Sequence, residues 1–228
     1  MSQVKDLVDA IDAFIVGCKD DAIWDAIKAC CIMAAWDGLS GCLVPLKGTA
    51  PTNNNFVSGD YDRETGLVGD GATKYLDSNR ASNDDPQNNA HLALYVTSAS
   101  ANVYAGAVDT SGSPTKLTQI FGYVGGSVSI NSATNNFVGN FDLQTGFIAG
   151  SRENATQIKY RIAGTTTTAA SNSVTPNSLN IYIFARNYTP SSPTAARFAF
   201  YSIGESLDLA LLDSRVSTLM TAIGAAIP

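Results

Sequence analysis

Apolar positions along the 228-residue chain follow a helical period at both ends and a strand period between them. In QVKDLVDAIDAFIV, residues 3–16, Val4, Leu7, Val8, Ile11, Phe14 and Ile15 form one helical stripe, with Asp6, Asp9 and Asp12 opposite. The subset Val4, Leu7, Ile11 and Phe14 recurs at about 3.5 residues, the spacing of a helix that packs against another helix. Such a stripe lies either on its own domain's core or against another chain, as a peg or a short intersubunit bundle. Gly17 reads as a stop. Asp20 or Asp21 then caps a second helix over about 21–36, with Ile23, Trp24, Ile27, Cys30, Cys31 and Ala34 inward.

From residue 38 glycine, proline and asparagine punctuate the chain, and short strand-like runs recur at sandwich spacing. They fall near 66–69, 73–77, 91–98, 102–108, 116–124, 126–131, 145–151, 156–163, 179–186 and 197–203. Leu92, Leu94 and Val96, and likewise Ile181 and Ile183, alternate with polar or small neighbours, as in antiparallel sheets with one buried face. Polar turns are expected at Asn53–Asn55, Asp84–Pro86 and Thr165–Thr168. No strand–helix–strand alternation appears, which excludes a doubly wound parallel sheet. A last helix is expected over 206–226. Ser206 serves as its N-cap, Asp208 sits at its positive end, and Leu209, Leu212, Val216, Leu219, Met220, Ile223 and Ile227 form its stripe. Following directly on a strand, this helix folds back over an open end or face of the sandwich. The expected architecture is mostly β: an antiparallel β-sandwich with N-terminal helices and a C-terminal amphipathic helix. Residues 1–40 would form a helical anchor or oligomerisation segment, and 41–228 the sandwich closed by helix 206–226.

Composition narrows the function classes. Only 15% of residues are charged, against about 25% in ordinary domains, so Ser, Thr, Asn and Gly must cover much of the surface. The net charge is −6 and the basic residues are dispersed, which argues against nucleic-acid binding. Residues 1–37 hold seven Asp and three Lys, net −4, which leaves −2 for the rest. All four cysteines lie early, at 18, 30, 31 and 42, in no zinc or disulfide-scaffold spacing; they read as buried apolar residues in a reducing compartment. No signal peptide is legible, and ACCIMAAW is far short of the roughly 20 residues of a membrane span. No membrane insertion is expected.

Four stretches carry a family resemblance. They are AIWDAIKACCIMAA at 22–35, GCLVPLKGTAPTNNNFVSGDYDRETGLVGDGATKYLDSNR at 41–80, DPQNNAHLALYV at 85–96 and RFAFYSIGESLDLALLDSRVSTLMTAIGAAI at 197–227. In these the chain resembles bacteriophage virion proteins with a concanavalin A-like, laminin-G-like sandwich, of the capsid-decoration, head-fibre or tail-fibre type. The resemblance implies a jelly-roll sandwich displayed on the virion, made in the bacterial cytoplasm, partnered with other virion proteins and often homotrimeric. With the N-terminal helices as anchor, Val4, Leu7, Ile11 and Phe14 are the candidate oligomer or anchor interface. The alternative function is a receptor-binding, lectin-like tail fibre that recognises host surface polysaccharide; a polysaccharide-degrading enzyme is a third reading.

The resemblance carries no active site, and the residues by themselves offer few candidates for one. His91, the only histidine, could act as a triad base only if a serine and an acid converge on it. Asp60, Asp62 and Glu64 alternate in GDYDRE, which suits a polar turn or a calcium loop; the oxygen-rich DSNRASNDDPQNN at 77–89 reads the same way. The three glutamates do not form the paired-carboxylate pattern of a glycosidase. Tyr61, Tyr75, Tyr104, Tyr123, Tyr160 and Tyr188 are candidates for stacking on sugar, without a basis for choosing among them. The expectation is a chain with no catalytic activity, no cofactor and no metal.

Overall fold

A computed structural model describes residues 3–123, 125–136, 143–188 and 191–227. The chain opens with α1 (Gln3–Asp20), β1 (Ile27–Ile32), the one-turn α2 (Leu39–Cys42), β2 (Thr52–Asn54), β3 (Tyr61–Asp62), β4 (Gly66–Val68) and β5 (Tyr75–Ala81). Four strands follow: β6 (Ala90–Ser98), β7 (Asn102–Asp109), β8 (Lys116–Gly122) and β9 (Ser127–Ser132). Next come β10 (Gly146–Arg152), β11 (Gln157–Ile162), β12 (Thr165–Ala170), β13 (Asn180–Ile183), β14 (Arg186–Asn187) and β15 (Arg197–Gly204), and α3 (Leu209–Ala226) ends the chain.

The strands form two sheets. The first, eight-stranded, runs β12-β11-β10-β6-β15-β4-β3, with β1 also paired to β15. The second, seven-stranded, runs β2-β5-β13-β7-β8-β9, with β14 on β7. Every pairing is antiparallel except the two-residue β14–β7 contact. The expected mostly-β sandwich with helices at both ends is the observed fold.

Period two explains how the second sheet faces the first. Leu76, Ile183, Ala105, Ile120 and Val128 lie in one register row across β5, β13, β7, β8 and β9, and all five enter the inter-sheet core. The adjacent row, Asp77, Tyr182, Gly106, Gln119 and Ser129, belongs to the opposite face.

The first sheet is buried on both faces at its centre. Leu92, Leu94 and Val96 of β6 and Phe198, Tyr201 and Ile203 of β15 enter the inter-sheet core. Ala93, Phe147, Ala149, Ala199 and Phe200 from the same strands and β10 pack instead with Phe14, Leu212, Val216 and Leu219 of the helices. The molecule therefore has three layers: helices α1 and α3, the first sheet, and the second sheet. Phe14 meets Phe200 edge to face at 5.7 Å.

This layering corrects the reading of residues 21–36 as a helix. Only Trp24–Ala26 turn, as a 3-10 segment, and β1 follows. Ala29, Cys31 and Met33 face the sandwich core, while Ile27, Cys30, Ile32 and Ala34 face the helices. A strand buried on both faces is apolar throughout and shows no alternation, so periodicity could not separate it from a helix. The expected helical segment 1–40 is thus divided, because β1 is a strand of the first sheet. Cys18, Cys30, Cys31 and Cys42 are buried and unbridged, as expected of apolar core residues.

Gly17 does not stop α1, which continues to Asp20. A Cβ at Gly17 would lie 2.7 Å from the Arg215 guanidinium, which crosses there to bind Asp21 through two bonds of 2.7 and 2.9 Å. The α3 cap is Asp208, whose carboxylate accepts from the Ala210 and Leu211 amides; Ser206, the expected cap, bonds Asn89. Thr165–Thr168 is not a turn but most of β12. The reversal lies just before it, where Ala163 and Gly164 both have positive φ, the two-residue hairpin geometry that matches strand twist. Four consecutive β-branched residues favour the strand. The expected run 116–124 ends at β8's Gly122, and Val124 lies outside the described residues.

Arg152 is fully buried and is bonded entirely by neutral oxygens. Nε donates to Ile130 O at 2.6 Å. Nη1 donates to the carbonyls of Asn154, Gln157 and Ser171, and Nη2 to the hydroxyls of Ser132 and Ser171. Burial lowers its pKa to about 10, which leaves it charged at neutral pH. This fork ties β9 of the second sheet to β10 and to the chain leaving β12. Arg152→Met should lower unfolding free energy by about 3–5 kcal/mol, because buried carbonyls lose their donors. Urea denaturation checks this, and a loss within about 0.5 kcal/mol would refute the role.

Candidate interaction surface

Helix α1 carries two apolar stripes where the sequence showed one. Leu7, Phe14 and Cys18 are buried against the first sheet and α3. Val4, Val8, Ile11 and Ile15, spaced four, three and four residues apart, form a second stripe turned about a quarter-turn away. Val4 and Val8 are 62% and 59% exposed. Lys5, Asp12 and Lys19 follow at seven-residue spacing on its solvent side, where a coiled-coil helix carries its charges.

The expected interface therefore splits. Val4 is exposed, Ile11 is half-buried against the protein's own core, and Leu7 and Phe14 are buried in it. A 3.5-residue count cannot distinguish the stripe facing home from its neighbour when both are apolar.

The outer stripe borders a groove of about 110 Å³, lined by Val4, Leu7, Val8, Ile11, Ala35, Trp36, Asp37 and Arg63. Its far wall is held by hydrogen bonds. Trp36 Nε1 donates to Ile32 O at 2.7 Å, and Tyr61 Oη donates to Trp36 O at 2.6 Å. Arg63 Nη1 donates to Gln3 Oε1 at 2.8 Å, and Nη2 lies 3.4 Å from Asp37. These bonds hold the wall in shape.

His91 does meet a serine. Its Nδ1 lies 2.5 Å from Glu205 O and its Nε2 2.7 Å from Ser202 Oγ. A carbonyl can only accept, so Nδ1 carries the proton and Ser202 donates to Nε2. The third member is a backbone carbonyl rather than an acid, and Ser202 and His91 are buried between β6 and β15. Burial lowers the imidazole pKa to about 4. The pair acts here as a buried polar latch.

The remaining candidates are dispersed. Asp60 pairs with Lys74 at 2.5 Å, and Asp62 accepts from the Glu64 and Thr65 amides. Among the described residues, no three His, Cys, Asp or Glu side chains gather in a way that could hold a metal ion. Tyr104 is buried in the sandwich core, and Tyr61 and Tyr160 pack against its margin. Tyr123 and Tyr188 are exposed, and Tyr75 stacks on Tyr182, a partner the sequence reading missed, at 4.5 Å. Period two alone placed Tyr182 opposite the core-facing Ile181 and Ile183. Helix α3 is long and apolar enough to cross a bilayer on those two criteria, and its Leu209, Leu212, Val216, Leu219 and Ile223 are buried.

No family model and no curated protein matches the chain. Several solved structures resemble it, among them the following two. One is domain 4 of AbnA, a GH43 extracellular arabinanase from Geobacillus stearothermophilus, in complex with arabinotriose. It is 12% identical with TM-score 0.46, over 74% of this chain and 82% of that one. The other is Trypanosoma rangeli sialidase in complex with 2,3-difluoro-KDN, 11% identical with TM-score 0.49, over 86% of this chain and 33% of that one. The chain thus spans a third of the sialidase chain. One expectation is corrected here: the assignment of this chain as a non-enzyme is withdrawn, because both of these structures come from carbohydrate-cleaving enzymes. At these identities and scores, neither activity nor substrate passes to this chain.

The His91 latch predicts a pH dependence. The unfolded imidazole titrates near 6.5 and the folded one near 4. Between these values the unfolded state binds more protons, so stability present above pH 6.5 is lost as pH falls towards 4, by about 2–3 kcal/mol. Asp85, buried against Arg80 and shifted upward, offsets part of this loss. His91→Gln should flatten the curve over that window in urea titrations at stepped pH. An unchanged slope would remove His91 as its source.

Proposed function

We propose that the chain is a structural protein of a bacteriophage particle, a sandwich displayed on the virion and docked to a neighbouring virion protein through the outer stripe of α1. The observation that carries this reading is the second apolar stripe, Val4, Val8, Ile11 and Ile15, at coiled-coil spacing on a helix whose first stripe is already used. Val4 and Val8, the exposed half of this stripe, stand beside a groove and suit an apolar helix or strand from a partner. The low charge of the surface supports the same reading, since such surfaces meet other protein more readily than highly charged ones. The four stretches resembling phage virion proteins supply the context.

Deleting residues 1–20 would not test the docking, because it would strip Leu7, Phe14 and Cys18 from the core. The double variant Val4→Asp/Val8→Asp touches only exposed positions and should change stability by less than about 1 kcal/mol. Immunoblots of density-gradient-purified phage should show the wild-type chain in the particle and the double variant reduced at least about tenfold, the effect of losing 1.4 kcal/mol of binding. A chain absent from the particle, or a double variant that incorporates normally, would sink the proposal. Phe14→Ala serves as contrast and should cost about 3–5 kcal/mol of folding stability.

A further inference from the structure

We propose that two copies of this chain pair edge to edge through β12, antiparallel, so that the first sheet runs on across a two-fold axis. This contact goes beyond the docking through α1 and uses none of its residues.

β12 is the outermost strand of the first sheet, and Thr165–Thr168 and Ala170 are exposed. Its six residues pair with β11 in unbroken register, Thr165 with Ile162 through Ala170 with Gln157. The segment contains no proline, no charge and no bulge, the devices by which sheet edges are usually protected. The other edges are different. β3 is two residues long and carries Asp62. β2 is three residues long and follows Pro51. β9 is wholly buried, and the chain at Asn136 and Val174 bonds its Val128 and Asn131. The free edge of β1 is met at Cys30 by Leu46 and Lys47. Among the described residues, β12 is the edge that is long and uncovered.

The hairpin fixes which backbone groups are free. In a two-residue loop the flanking residues, here Ile162 and Thr165, form a hydrogen-bonded pair. Thr165, Thr167 and Ala169 therefore point their N–H and C=O groups at β11. The Ser171 amide continues the alternation by donating to Thr156 O at 2.8 Å. Thr166, Thr168 and Ala170 point theirs outward, where no described group bonds them.

These groups are self-complementary. In an antiparallel pair, opposed residues share a face, so a dyad perpendicular to the sheet must pass through a residue position. Placed at Thr168, it sets Thr168 against its copy and Thr166 against Ala170 of the second copy. That register engages every outward N–H and C=O in about six hydrogen bonds. The non-bonded pairs set Thr167 against Ala169 of the second copy, so no charge opposes another within the strand and small β-branched side chains meet alanines. Polarity, charge and register all suit a second β12.

Sedimentation velocity of the full chain between about 1 and 200 µM tests this by mass action. A 23.9 kDa species should convert to one of about 48 kDa as concentration rises. Thr168→Pro removes an N–H that faces outward and leaves the β11 bonds in place, so the folded hairpin survives while dimer affinity falls at least about tenfold. Thr168→Lys, which guards the edge without altering the backbone, should act alike. The amides of Thr166, Thr168 and Ala170 should exchange more slowly at high concentration, and those of residues 4–15 should not change. Val4→Asp/Val8→Asp should leave the dimer intact, which separates this contact from docking through α1. A monomer throughout the range, or a dimer unaffected by both Thr168 variants, overturns the proposal.

Discussion

The double burial of the first sheet is the constraint on which the rest of the structure depends. Strands β6, β10, β15 and β1 place apolar side chains on both faces, so a two-layer sandwich would leave one of those faces in water. Helices α1 and α3 are therefore layers of the core. Their mutual fit is set by small details. Gly17 leaves the space in which Arg215 crosses α1 to Asp21, and Arg161 of β11 bonds Asp213 of α3 at 2.6 Å. Each contact joins a helix to a neighbour it must not slide past.

The two sheets are tied by a different principle. Arg152 is buried with its own polar partners, among them the buried hydroxyls of Ser132 and Ser171. An arginine without a buried carboxylate is costly unless its donors are met, and here carbonyls and hydroxyls meet them all. The geometry of those carbonyls is set by strand β9 and by the chain leaving β12. Arg152 therefore holds the polar end of the sandwich in one arrangement, where apolar packing alone would permit several.

Strand β13 showed period two and was placed within a few residues, and β6, β10 and β15 were found by their turns and spacing although both their faces are buried. The terminal helix announced itself by its stripe. What failed was what burial on both sides erases: β1, with Ile27, Cys30 and Ile32 facing the helices and Ala29, Cys31 and Met33 facing the sandwich, has no polar period to read. Gly17 misled because a glycine kept for close approach looks like one kept for its freedom at a helix end. Thr165–Thr168 misled because polarity suggested a turn where β-branching favoured a strand. At the candidate surface, Leu7 and Phe14, read as an interface, belong to the protein's own core, while Val4 is exposed. The sequence shows that α1 is apolar, but not which of two adjacent stripes already has a neighbour.

The exposed features share a logic. Where this chain must avoid contact it uses established means: a short β3 with Asp62, a proline before β2, and a covered β9. At two places it does not. The outer stripe of α1 leaves Val4 and Val8 in water beside a fixed groove, and β12 leaves a row of backbone groups unpaired with no charge to guard them. The two openings lie on different elements, and their chemistry differs: one offers apolar side chains, the other backbone hydrogen bonds. Surfaces so unlike would select different partners, so under the two proposals one copy would join a like copy and an unlike neighbour at once.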